Sequence, residues 1–314
     1  MKPLPRLVLP VAFVLVWSSA YVAGSIATAL IPPLTVTLWR FALAALLLGG
    51  VAWLRREPWP RGTRALGGAV ATGVLLFALQ FASLYIALAD HMPVATTALI
   101  ACSAPLLVAA LSALLGWEQL ALRQWSGVAL GVVGVLVTLS DRLGRPPSAV
   151  ALGWALLGLS GLVGGTLLQG RLRIAAGPAA LASVELAAGA LVLAAAAPFM
   201  GSLAIPFTLP ALLSFAYVAV VAGVGAPLLY FALIRERGAT RASSLLFVVP
   251  SVTALCAWMV LGAPIGSTAL FGFVIAGSGL LLARAGAGAR TPAGAPLLLR
   301  QRSFHQAYPA PSSR

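Results

Sequence analysis

Acidic residues are scarce in this chain: Asp and Glu together number 6 in 314 residues, His 2 and Cys 2, and all charged residues amount to 8%. A soluble domain carries roughly 25% charged residues, so an ordinary water-soluble globule is excluded. The shortage also excludes most catalysis. No HExxH pair, no paired acid and base, and no glycine-rich loop followed by Lys and Ser or Thr is present, which removes zinc hydrolysis, general acid–base chemistry and nucleotide-driven pumping. Cys102 and Cys256 both sit in apolar runs without a CxxC or a nearby His, and read as small buried apolar residues rather than metal ligands or a disulfide. The expectation is therefore a protein without catalytic residues, metal or cofactor.

What is abundant is apolar length. Hydrophobic residues make up 61% of the sequence and the mean hydropathy is +1.03. A membrane-spanning helix takes about 20 mostly apolar residues. Ten such segments can be drawn, at 7–30, 33–54, 65–88, 93–116, 122–140, 149–170, 178–200, 208–234, 240–262 and 266–284. Pro32, Pro33, Pro58, Pro60, Pro146, Pro147, Pro178, Pro206, Pro210 and Pro264 punctuate the gaps. Barrel strands are disfavoured because the runs lack alternation. Lys2 and Arg6 precede an apolar stretch from Leu7 to about Leu30, longer than a signal-peptide core, so it reads as a retained first helix.

A formal charge of +14 would suggest nucleic acid in a soluble chain. Here the basic residues lie in short loops and tails between apolar runs, where they set topology instead. Lys2, Arg6, Arg55, Arg56, Arg61, Arg64, Arg123, Arg171, Arg173, Arg235, Arg237 and Arg241 fall on one side and only Arg142 and Arg145 on the other. Both termini are expected in the cytoplasm. The stretch 285–314, rich in Pro, Ala, Ser and Arg, is expected to be a disordered cytoplasmic tail.

The sequence repeats. A shift of 145 positions carries Pro105 onto Pro250, Tyr85 onto Tyr230, Gly127 onto Gly272, Gly134 onto Gly279 and Pro33 onto Pro178, with no gap. Residues 7–140 and 149–284 are then two copies of one unit. Five helices per copy is an odd number, so the second copy enters the membrane inverted, an arrangement used by many secondary transporters.

Several local patterns point to one family. They are Trp17-Ser18-Ser19 with Tyr21, Arg40-Phe41, Ser83-Leu84-Tyr85 with Ala87-Leu88, the run Ala95 to Glu118 with Ser103, Pro105 and the closing Gly116-Trp117-Glu118, and Pro250 with Gly262-Ala263-Pro264-Ile265-Gly266. In these the chain resembles the EamA-like branch of the drug/metabolite transporter superfamily. The resemblance covers about residues 8–284. It implies ten helices in two inverted five-helix repeats, a central cavity and alternating access, with amino acids or other small metabolites exported in most such families. One departure is visible: Ala263 stands where the second repeat of such proteins usually carries Glu, the counterpart of Glu118.

The candidate site residues are polar groups inside apolar runs. Arg40 and Glu185 coincide under the shift of 145, and each costs on the order of 2.5 kcal/mol or more at mid-membrane unless it faces protein or water. Glu185 is a candidate proton carrier; alternatively it hydrogen-bonds a neighbouring helix, and Arg40 snorkels. Trp17, Ser18, Ser19, Tyr21, Gln80, Tyr85, Thr96, Thr97, Ser103, Tyr230, Ser243 and Ser244 are candidates to line a substrate pocket, the competing reading being interhelical hydrogen bonding. Pro105 and Pro250 are candidate helix kinks. Gly127, Gly131, Gly134, Gly272, Gly277 and Gly279 read as close packing or a homodimer face. Trp117, Trp125 and Tyr308 read as interface or tail residues, and His91 beside Asp90 as a solvated loop pair.

These expectations converge on a multi-pass carrier of the bacterial inner or plasma membrane. Its partners are the lipid bilayer, a small-molecule substrate, and protons or another coupling ion, with no role for nucleic acid. A non-transporting membrane scaffold is the alternative. A lipid-modifying membrane enzyme fits less well, for want of acids and histidines.

Overall fold

The structure, a computed structural model, describes residues 7–117, 119–140, 148–196, 202–237, 245–264 and 266–285. Among these residues it is all helical, without a strand. In chain order the helical stretches are α1 (Val8–Leu30), α2 (Pro33–Leu54), α3 (Thr63–Ala89), α4 (Val94–Leu114), α5 (Leu122–Ser140), α6 (Ala149–Leu172), α7 (Pro178–Ala195), α8 (209–237), α9 (Val249–Leu261) and α10 (Ser267–Ala285). Seven of them are long and apolar enough to cross a membrane: α1, α2, α3, α4, α6, α7 and the first 22 residues of α8. The other three offer shorter apolar stretches, Leu122–Thr138, Val249–Leu261 and Ser267–Gly279.

Proline sets many of the starts. Pro33, Pro105, Pro178, Pro210 and Pro250 each occupy the first turn of a helix, where the missing N–H is no loss and the fixed φ favours the helical path. Pro105 and Pro250 therefore sit where helical pieces begin, and α4 is interrupted just before Pro105. α4 breaks at Ser103 and resumes at Ala104. α9 is preceded by a 3-10 turn, Leu245–Phe247, and starts at Val249; residues 240–244 of the expected ninth segment lie outside the described residues. α4 and α9 are followed by glycines at positive φ, Gly116 at 70° and Gly262 at 63°, a stop that favours residues without a Cβ.

Contacts between loops sort the helix ends into two groups. At one end, the Gly177 N–H donates to the Pro58 carbonyl at 2.7 Å, Glu57 Oε2 accepts from the N–H groups of Ala179 (2.8 Å) and Ala180 (3.1 Å), and the Arg171 guanidinium lies 3.9 Å from the Trp117 ring centre. At the other end, Thr35 Oγ1 donates to the Ser202 carbonyl at 2.8 Å, Trp39 Nε1 to Leu203 O at 2.9 Å, and Ser148 Oγ to Asp90 Oδ2 at 2.6 Å. Ser148 also caps α6, accepting from the Ala151 N–H.

α2 and α7 pack antiparallel along their length. Ala52 meets Ala179 and Ala180, Ser183 Oγ bonds Ala45 O at 2.8 Å, and Leu38, Phe41, Ala44 and Ala45 form one core with Leu186, Ala190 and Leu193. α5 and α10 are antiparallel as well. A Cβ placed on Gly279 would strike the Gly131 amide and the Gly127 carbonyl, one on Gly272 the Gly134 carbonyl and Thr138, and one on Gly134 the Ala276 backbone. These glycines are engaged inside the chain, which favours close packing over a dimer face.

Gly279→Val should therefore destabilise the detergent-solubilised protein by about 1–3 kcal/mol, the cost of overpacking. Gly50→Ala, at a glycine with nothing within 4 Å of its added Cβ, should stay within about 0.5 kcal/mol. Thermal unfolding of both variants checks the contrast.

Candidate functional site

Two helices depart from α-geometry at matching places. α3 widens into π-helical turns at Val74–Leu79 and α8 at Tyr217–Gly225, and the shift of 145 carries the first range onto 219–224, inside the second. Wide turns of this kind leave the regular i→i−4 ladder and are frequent at functional sites. Each packs on the second helix of the opposite half: α3 on α7, α8 on α2. Where they pack, the two intramembrane ionisable residues lie.

Arg40, on α2, is 7% exposed. Its Nη1 donates to the Tyr85 hydroxyl at 2.7 Å, and its guanidinium carbon lies 4.6 Å from the Phe81 ring centre, 5.5 Å from Phe41 and 5.9 Å from Tyr85. Such cation–π contacts contribute on the order of 0.5–2 kcal/mol. They do not replace a counter-charge. Nε is buried and has no hydrogen-bond partner, and no acid pairs with Arg40 among the described residues. On the α8 side it faces Gly223, whose absent Cβ would sit 3.5 Å from Nε.

Glu185, on α7, is 3% exposed and is held differently. Thr72 Oγ1 donates to Oε1 at 2.9 Å, and Gln169 Nε2 to Oε1 at 3.0 Å and Oε2 at 3.3 Å. Its backbone lies so close to α3 that only glycine fits at position 73. Arg40 and Glu185, equivalent in sequence, do not pair. Arg40 is in the half of the bundle toward the Thr35–Ser202 end, Glu185 in the half toward the Glu57–Ala179 end.

The remaining candidates divide into small groups. Trp17 packs with Phe13 and Tyr230, at ring separations of 5.3 Å for Phe13–Trp17, 5.4 Å for Phe13–Tyr230 and 6.1 Å for Trp17–Tyr230, joining α1 to α8. Ser18 Oγ donates to the Val249 carbonyl at 3.3 Å, and Thr253 Oγ1 returns a bond to Ser18 O at 3.5 Å, joining α1 to α9. Tyr21 packs against the core that contains Tyr85. Gln80 is buried where α3 crosses Gly158 and Gly161 of α6. Thr97 and Ser103 spend their hydroxyls within α4, on Pro93 O and Ile100 O. Ser244 and Glu118 lie outside the described residues.

A small open cleft lies beside Ser103 and Pro250, walled by Cys102, Leu106, Phe273 and Gly277 among others. Of the expected pocket residues that are described, only Ser103 reaches it. Arg40, Tyr85, Ser18 and Glu185 are enclosed between helices.

Sequence reasoning missed Thr72, Gln169, Tyr217 and Phe81. Tyr217 shares a 2.6 Å hydrogen bond with Ser19, on the π-turn of α8. The signal for Tyr217 and Gln169 was present, since each is a polar or half-polar residue inside an apolar run. Thr72 and Phe81 look like any other member of theirs.

The architecture has known relatives. The EamA-like transporter family profile matches the chain twice, over residues 6–140 and 149–285. The chain belongs to the EamA-like transporter family. YedA of Escherichia coli K12, described as an uncharacterized inner membrane transporter, is 28% identical over 246 residues, covering 78% of this chain and 79% of YedA. YedA of E. coli O157:H7 matches to the same extent. A crystal structure of a protein 19% identical superposes with a TM-score of 0.62, over 90% of this chain and 98% of that one, a likeness of fold alone. As an EamA-like protein the chain is a membrane transporter and not an enzyme.

The Ser19–Tyr217 bond offers a direct check on how α1 is tied to the π-turn. A double-mutant cycle with Ser19→Ala and Tyr217→Phe should return a coupling of about 0.6 kcal/mol, the usual scale for such a bond between membrane helices. Unfolding in denaturing detergent reads it, and zero coupling would mean that the bond does not join the helices.

Proposed function

We propose that this chain is a secondary transporter of ten spanning helices that exports amino acids or other small metabolites across the bacterial inner membrane by alternating access. Its two five-helix halves are inverted repeats, and both termini face the cytoplasm. The observation that carries this reading is the α5–α10 crossing. Gly279 lies against the Gly127 carbonyl and Gly272 against the Gly134 carbonyl, and exchanging the halves by the shift of 145 turns the first contact into the second.

An exchange that interconverts antiparallel segments is a two-fold rotation about an axis across them, which in a bilayer lies in the membrane plane. The α2–α7 pair and the matched π-turns support the same relation. α5 and α10 cross at shorter apolar length packed on each other, and α9 packed on α1 and α4. The end that carries Arg55, Arg56, Arg171 and Arg173 faces the cytoplasm by the positive-inside rule.

In such a carrier the halves rock about a midplane site, closing one end as the other opens. No nucleotide-binding loop occurs in the sequence, so the driving force is an ion or substrate gradient. Glu185 is the proton-coupling group in this reading. It is the acid held inside the bundle by neutral donors from two other helices, and so can gain or lose a proton without breaking an ion pair.

Counterflow in proteoliposomes, run at two pH values against amino acids, sugars and cationic drugs, tests the function. Exchange of at least one class is expected, and exchange of none by folded protein would overturn the carrier. With a transported substrate in hand, Glu185→Gln should abolish the pH dependence of uptake; a pH dependence identical to that of the parent protein would remove Glu185 from coupling.

A further inference from the structure

The polar side chains around Arg40 present a surplus of donors. A guanidinium has five N–H groups and no acceptor, and among the described residues one hydrogen bond uses them, to Tyr85. Tyr85, 5% exposed, accepts that bond, and its own O–H finds no acceptor among the described residues. Nε is buried with no partner and points toward Gly223 on the α8 π-turn. Gly24 on α1 lies against the Tyr85 hydroxyl, which a Cβ there would approach to 3.4 Å. Two backbones without side chains thus flank two side chains that both need an acceptor.

We propose that Arg40 and Tyr85 form the anion-binding half of the substrate site, and that the group they receive is the carboxylate of a monoanionic acid with an apolar or aromatic body. The proposal rests on the transporter reading above and narrows it. A cation held in a low-dielectric interior with unanswered donors is stabilised by an anion that accepts from the fork and the neighbouring hydroxyl together.

Charge balance selects the class. One positive charge stands in the site and among the described residues no second cation approaches it, so a phosphate ester or a dicarboxylate would leave negative charge unbalanced. No acid is near either among the described residues: Glu185 is engaged by Thr72 and Gln169 toward the opposite end. The ammonium of an amino acid would therefore lack a counter-charge, and the faces of Phe81 and Tyr85 are already occupied by Arg40 itself. The surroundings of the guanidinium are apolar, with Phe41 5.5 Å from its central carbon, and suit an apolar body. Among exported metabolites this favours simple monocarboxylates over zwitterionic amino acids.

The test uses the full chain in detergent, with 3-phenylpropionate as probe and 3-phenylpropionamide, L-phenylalanine, inorganic phosphate and sodium chloride as comparisons, read by thermal stabilisation. Saturable stabilisation by the acid is expected, with binding at least roughly 10-fold weaker for the amide and for phenylalanine, the scale set by losing a charge-assisted hydrogen bond. Arg40→Gln should abolish the response, Arg40→Lys should weaken it by removing the fork, and Tyr85→Phe should weaken it several-fold.

Equal response to acid and amide, retained binding in folded Arg40→Gln, or no response to the acid would each overturn the proposal. So would stabilisation by chloride alone, which would assign a resident halide. Should both Arg40 variants fail to fold, Tyr85→Phe decides, and unchanged binding there overturns it. Counterflow separates the two claims. Transport of other metabolites without a carboxylate response would sink the anion site and leave the carrier; carboxylate binding without counterflow of any compound would do the reverse.

Discussion

Within hydrocarbon there is no water to answer a polar group, so each donor and acceptor must find its partner in the protein. This constraint sorts the side chains of the bundle. Thr37, Thr97, Ser103 and Thr138 bond carbonyls one turn back on their own helices, as hydroxyls in membrane helices commonly do. Ser18, Ser19 and Ser183 bond across helices and tie the two halves together. Glu185 is answered by Thr72 and Gln169. Against that uniform satisfaction the open donors of Arg40 stand out, and a buried charge kept at such expense marks function.

The seam between α2 and α7 shows how the halves are joined. Small residues let the helices approach, with Ala44, Ala45 and Ala52 facing Ala179, Ala180 and Ala190, and van der Waals contact does what the hydrophobic effect cannot do in lipid. The same economy recurs in the glycines of α5 and α10. Neither helix of the latter pair offers a long apolar stretch, and each gives the other the close contact that lipid would otherwise have to supply.

Much of this was legible in the sequence. Apolar run length located the helical stretches, and the coincidence of Pro105 with Pro250 and Tyr85 with Tyr230 exposed the duplication, because rare residues seldom agree by chance. Arg40 and Glu185 were identifiable as costly charges. Their surroundings were not, since Thr72, Gln169 and Phe81 approach from other helices and carry no spacing that links them to α2 or α7. The π-turns were also invisible: VLLFAL and YVAVVAGVG read as ordinary helix, and their widening depends on what packs against them. Pro105 and Pro250 each stand in the first turn of a helical piece, the position where a missing N–H costs least.

The two ends of the α2–α7 seam are fastened by different chemistry. At one, the Glu57 carboxylate sits on the first amides of α7, where the helix dipole favours negative charge; at the other, neutral carbonyls of Ser202 and Leu203 meet Thr35 and Trp39. Along this seam the duplicated halves are therefore joined unequally, by a charged cap at one end and by neutral bonds at the other.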